Sequence, residues 1–150
     1  MTQEEKKLLL KDLCTRLLYD IKVNYENRTY YLNEINPACK NIDYITVLIQ
    51  DEKRMLCAES VQIENIKPYL RPISSMTENE RNNLKAITCP NGTGYFNEQY
   101  LVCPINHFGE QISFDFMSDI IDWLNSHYFD YRGLIPMGLA LEATEVMYSE

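Results

Sequence analysis

Apolar residues near the start of the chain recur at helical spacing and then switch to alternation. Leu10, Leu13, Cys14 and Leu17 fall on one face of a 3.6-residue repeat, which predicts an amphipathic helix. Thr2 and Glu5 stand ahead of it at capping-box spacing, and acids at its start with Arg16 near its end suit the helix dipole. A helix with one apolar stripe has to pack on something else. From Ile21 the period becomes two: Ile21, Val23 and Tyr25 alternate with Lys22 and Asn24, the pattern of a half-buried strand. A polar turn at Asn27-Arg28 leads to a second strand over 29–35. A loop over 37–41 follows, then a β-branched strand at 44–49, a charged turn at 51–54, and two short strands at 55–58 and 61–63. Five short strands in roughly fifty residues predict a small SH3-like barrel or a strongly bent meander. Pro68 and Pro72 withhold backbone donors and are expected to close this region.

In the second half, Thr77-x-x-Glu80 repeats the capping-box spacing and predicts a short polar helix to about Ala86. Asn91-Gly92-Thr93-Gly94 reads as a turn between residues 87–89 and a strand over 95–103. Ile112, Phe114 and Phe116 alternate with Ser113 and Asp115, which predicts another strand. Ser118 then reads as the cap of a helix carrying Ile120, Ile121, Trp123 and Leu124 and ending near His127. Asp130 reads as the cap of one more short helix, shortened by Pro136 and stopped by Gly138. There is no repeat and no long linker. The expected architecture is α+β: an N-terminal helix packed on a small SH3-like β-barrel (1–74), then an acidic α/β region with a Trp-bearing helix (75–150), docked as one compact unit.

A chain of 150 residues buries about two-thirds of its unfolded surface, so neither disulfide nor metal is needed as a staple. The uninterrupted apolar runs are too short for a bilayer, so no membrane partner is expected. The acids in Met-Thr-Gln-Glu-Glu argue against a secretory signal, which makes the expected location cytoplasmic. The cysteine count, five, is odd, with no C-x-x-C pair. Cys14, Cys57 and Cys103 each adjoin apolar residues, as reduced, core-filling thiols do. Cys89 and Cys103 are the pair that could oxidise across a hairpin.

Charge is distributed unevenly. Residues 1–75 hold 11 Asp/Glu and 11 Lys/Arg, whereas 76–150 hold 11 Asp/Glu against Arg81, Lys85 and Arg132, so the net −8 resides in the second half. Such a field repels phosphate backbones and argues against direct nucleic-acid binding there. It could meet a basic partner, although a solubilising role is the favoured reading.

Candidate reactive groups are sparse. Cys103 and His107 invite a nucleophile–base reading, but Pro104 intervenes and no third group or oxyanion hole is evident. With Cys89 they supply three potential zinc ligands without a C-x-x-C knuckle. Asp115, Asp119 and Asp122 are explained as acids near a helix start. Gly92-x-Gly94 lacks the lysine and the strand–helix context of a phosphate loop. No catalytic residue, metal ligand or cofactor is therefore assigned. Arg132 is the only Lys or Arg in 86–150, against nine acids. A lone guanidinium of that kind is expected to be an internal ion-pair partner fixing the approach of two helices, with a recognition role as the other reading. Tyrosine is abundant, 11 residues, and supplies rigid contact area with a polar handle. Trp123, Tyr128, Tyr131 and Arg132 are the candidate binding residues.

The segments KPYLRPISSMTENE (67–80) and IDWLNSHYFDYRGLIPMGLALEA (121–143), with the opening MTQEEKKLLLKDLCTRLLYDIKVNY (1–25), resemble a family of small proteins encoded by phages and prophages of gut Bacteroidales. The resemblance implies a mobile-element origin and expression inside a bacterial host cell, and implies no reaction. Pro136 and Met137 stand where a charged pair is expected, and NGTGYFNEQY departs from the pattern. The function expected from these readings is that of a non-enzymatic accessory protein. It would act through an unidentified protein partner by the tyrosine-bearing, acidic surfaces of 95–150. The alternatives are an acidic DNA mimic that inhibits a host nucleic-acid enzyme, and a small enzyme or ligand sensor with a pocket around His107, Cys103 or Arg132.

Overall fold

The computed structural model describes residues 1–36, 45–51, 59–88, 114–144 and 146–148. The chain is α+β, with an N-terminal helix and a mixed open sheet of six strands. It divides into two compact units, Met1–Arg71 with Arg132–Glu150, and Pro72–Tyr131.

In the first unit, helix α1 (Gln3–Arg16) begins at the expected capping box. The Glu5 amide donates to Thr2 Oγ1 at 3.2 Å and the Thr2 amide donates to Glu5 Oε2 at 2.6 Å. That backbone donor holds the Glu5 carboxyl below its ordinary range. A depressed folded pKa stabilises above the unfolded value, so this contribution fades as pH falls through the lowered pKa. The buried face of α1 differs from the expected stripe. Leu9 and Leu13 are buried with Lys6, Asp12 and Arg16, whereas Cys14 is exposed and is not a core thiol. The charged side chains sit at helical spacing with the leucines, so the face toward the protein is rotated onto a mixed stripe. Lys6 reaches Glu64, in the 3₁₀ turn Ile63–Asn65 against which α1 lies.

Strands β1 (Lys22–Tyr25) and β2 (Arg28–Asn36) form a hairpin closed by Glu26-Asn27, one residue earlier than expected. Both turn residues have positive φ, 49° and 62°, the type I′ geometry whose twist matches paired strands. Strand β3 (Thr46–Gln50) pairs with β2 and β4 (Glu59–Gln62) with β3, all antiparallel. A register shift between Leu32 and Glu34 marks a bulge at Asn33. An extra residue there lets Leu32 and Ile35, three apart, both turn inward. Val23, Leu32, Val47, Ile49, Val61 and Leu70 are buried. The cross-strand pairs Leu32↔Ile49 and Val47↔Val61 place these apolar side chains on one face.

Strand β5 (Lys67–Leu70) returns beside β1, and β6 (Leu141–Glu142) adds to it in parallel, giving the order β4-β3-β2-β1-β5-β6. Two expectations change here. The sheet is open among the described residues, so an SH3-like barrel is not confirmed; β6, from far along the chain, lies on the side of β5 away from β1. Pro68 sits within a strand, opposite Val23, rather than ending the strand region. Strand β6 begins opposite Tyr69 and so does not face the missing N–H of Pro68. The candidate strand at 55–58 and the loop at 37–41 lie outside the described residues.

Residues 131–138 form turns instead of the helix expected after Asp130. The Leu139 amide donates to Leu134 O and the Gly138 amide to Ile135 O, with Gly138 at φ +71°. This is a Schellman arrangement, and Leu134 and Leu139 are buried across it. Gly138 therefore acts as the stop signal it resembles, on one turn that Pro136 keeps from extending.

The second unit holds α2 (Glu78–Thr88) and α3 (Phe114–Ser126). The Thr77–Glu80 box caps α2: Thr77 N to Glu80 Oε2 is 2.7 Å and Glu80 N to Thr77 Oγ1 is 3.3 Å. Helix α2 runs through Ile87, a residue expected in a strand, and α3 takes in Phe114 and Phe116, also expected in a strand. Alternation over 112–116 is too short to outweigh the i, i+3, i+7, i+10 series Phe114, Met117, Ile121 and Leu124, which continues into α3. Met76, Leu84, Ile120, Leu124 and Phe129 form the core of this unit. Among the described residues no helix is long and apolar enough to cross a membrane.

A Cβ added at Gly138 would meet nothing within 4 Å, so Gly138→Ala tests the backbone alone. We expect a loss of about 1–2 kcal/mol from the left-handed conformation, read as a lower urea midpoint with an unchanged slope.

Candidate functional site

Three of the four candidate residues lie at the end of α3. The Phe129 amide donates to Leu124 O and the Tyr128 amide to Asn125 O, a second Schellman stop. Its hydrophobic contact is Leu124 with Phe129, both in the core of the second unit. The residue in the left-handed position is Tyr128, at φ +62°. Glycine is usual there, and a bulky residue is an outlier. Trp123 packs against the core and stacks on its own helix end. Its ring lies 4.0 Å from His127 at 23° and 5.8 Å from Phe129 at 17°. His127 Nδ1 stands 2.8 Å from Trp123 O; a carbonyl only accepts, so Nδ1 carries the proton and Nε2 is left as an acceptor. Tyr131 is half-buried against the same core cluster.

The fourth candidate, Arg132, belongs to the first unit and has a defined partner. Its Nε donates to Asp12 Oδ1 at 3.1 Å. Arg16 grips the same carboxylate from one turn on, Nε to Oδ2 at 2.8 Å and Nη2 to Oδ1 at 3.2 Å. The side chains of Asp12 and Arg16 are 0% exposed and that of Arg132 16%. The ion pair expected of Arg132 is thus formed with α1, but from a turn and not from a second helix. A carboxylate out of water needs such donors, and two planar guanidinium forks supply them.

Sequence reasoning missed Asp12 and Asn125. For Asp12 the available signal was its i, i+4 spacing to Arg16, combined with the scarcity of bases after residue 86. Asn125 is buried on α3, and its side-chain amide makes no hydrogen bond with the described residues; a polar residue beside Leu124 in an apolar series was the only hint. Asp119 and Asp122 are exposed on α3. Among the described residues no three His, Cys, Asp or Glu side chains gather as a metal site. Cys89, Gly92, Gly94, Cys103 and His107 lie outside the described residues, as does the side chain of Asp115.

No protein-family model matches the chain, and no curated protein or solved structure matches it significantly.

Asp12→Ala leaves two arginines with their shared acceptor removed. Breaking a buried pair on one side costs about 3–5 kcal/mol, so we expect a loss of that order in urea unfolding. A loss below about 1 kcal/mol, the range of exposed pairs, would contradict the burial of this cluster.

Proposed function

We propose that this chain is a non-enzymatic accessory protein of phage or prophage origin. It acts inside a bacterial host cell by contact with another protein, through the end of α3. The observation that carries the reading is Tyr128. A tyrosine occupies a backbone position at which glycine would be less strained by about 1–2 kcal/mol, and strain of this kind is retained where a side chain has a task. Trp123 and Tyr131 lie on the same unit and are residue types enriched in contact surfaces. The unit Pro72–Tyr131 also carries eight Asp/Glu against Arg81 and Lys85, so a basic partner surface would be attracted to it. In this reading Arg132 serves internally, on Asp12.

The charge supports a second reading, a DNA mimic that occupies a host nucleic-acid enzyme. It fits less well, because Glu80 is used in a cap and Asp130 is buried. Glu78, Asp119 and Asp122 remain exposed, too few for a phosphate-like row.

A photo-crosslinking phenylalanine analogue at position 128, expressed in the bacterial host, should give a discrete adduct with one protein. The same analogue at Asn83, exposed on α2, should not give it. Identical adducts from both positions, or none from 128, would overturn the proposal. Steep loss of the adduct with salt and a nucleic-acid enzyme as its partner would favour the mimic.

A further inference from the structure

A second feature lies on the sheet of the first unit, away from any use made of it so far. The β1–β5 register sets Asn24 opposite Lys67 and Val23 opposite Pro68; continued by one residue, it sets Lys22 opposite Tyr69. At that pair a side chain from near the end of the chain is interposed. The Tyr148 hydroxyl accepts from the Lys22 amide at 3.1 Å and donates to Tyr69 O at 3.0 Å. One phenol oxygen bridges two strands where a ladder hydrogen bond would otherwise run.

The surroundings of that oxygen are built. Lys22 Nζ donates to Met147 O at 2.5 Å. It lies 5.5 Å from the Tyr148 ring centroid and 5.6 Å from that of Tyr31, within cation–π range of both. Lys22 and Tyr31 are paired across β1–β2 and share the face opposite Val23. Asn24 Nδ2 donates to Tyr69 Oη at 2.9 Å and holds that ring at the margin. What is gripped is short: a phenol hydroxyl, its ring and the preceding carbonyl. Val146, one residue further back, is 81% exposed.

We propose that Lys22, Tyr31 and the Lys22–Tyr69 backbone pair form a docking site for tyrosine-bearing extended peptides. Met147–Tyr148 fill it in cis, and a tyrosine segment of a partner protein enters by displacing them. The groups bound are ones any X-Tyr pair presents, so nothing in the grip depends on the rest of the tail. A donor and an acceptor facing one oxygen select tyrosine over phenylalanine, because losing the hydroxyl leaves both unpaired. The tail occupies the site at an effective concentration of order millimolar, so a weak site is closed in cis and opens to competition when the tail is disabled. This inference does not rest on the α3 surface.

The test uses the full chain with Tyr148→Ala and three fluorescein-labelled peptides read by anisotropy. One peptide is Ala-Thr-Glu-Val-Met-Tyr-Ser-Glu, one replaces its Tyr by Phe, and one is Gly-Ser-Gly-Ala-Tyr-Gly-Ser, which keeps only the X-Tyr pair. The variant should bind the first peptide at least about tenfold tighter than the unaltered chain does. The Phe peptide should bind at least about tenfold more weakly than its Tyr counterpart. The minimal peptide should fall within about fivefold of the tail sequence, as a site that reads only X-Tyr requires. Should Tyr148→Ala fail to fold by circular dichroism, Tyr148→Phe carries the comparison, with the Tyr peptide bound at least about threefold tighter than by the unaltered chain. Equal affinity for the Tyr and Phe peptides, no gain on disabling the tail, or binding of the tail sequence alone would each overturn the proposal.

Discussion

One buried carboxylate, Asp12, is the constraint on which the first unit depends. It accepts from Arg16 one helical turn away and from Arg132 at 120 residues' separation. A lone carboxylate at that depth would be strongly unfavourable, and a lone guanidinium no better. Together they are tolerated because the forked geometry of arginine satisfies both oxygens. The consequence is positional. The helix that opens the chain and the turn that follows residue 131 are tied to one point, and the buried stripe of α1 is shared between leucines and charges. Leu9 and Leu13 supply the apolar burial on that face, while the ion cluster fixes which way it is turned.

Features specified over a few residues were legible in the sequence. Both capping boxes formed because their hydrogen bonds join residues three apart, and the β1–β2 hairpin followed from alternation interrupted by polar residues. Gly138 stopped its turn because a left-handed residue is needed there whatever surrounds it. Features that depend on distant partners were not legible. Parallel pairing of β6 with β5 leaves no trace in either segment, and the open sheet follows from it. The exposure of Cys14 and the burial of Asp12 both trace to a rotation of α1 that its own periodicity does not specify. At Asn33 the bulge explains why inward residues sit three apart, which simple alternation cannot express.

The candidate residues divide in the same way. Trp123 was visible as part of an apolar series, and the structure adds its stacking on His127 and Phe129. Tyr128 was visible only as one more tyrosine; its left-handed backbone makes it distinct from the others. Arg132 stood out by the absence of other bases, which indicated a need for a partner without naming it. Tyr148 passed unnoticed, since nothing near it in the chain marks its hydroxyl as a bridge between strands.

The most direct measurement of the account is a double-mutant cycle on Asp12→Asn and Arg132→Met, followed by urea unfolding. If the carboxylate ties the opening helix to the later turn, the two changes are coupled by about 1–3 kcal/mol, as contacting buried residues are. Additivity to within about 0.5 kcal/mol, as for independent sites, would show that Arg132 does not share Asp12 and would contradict the account.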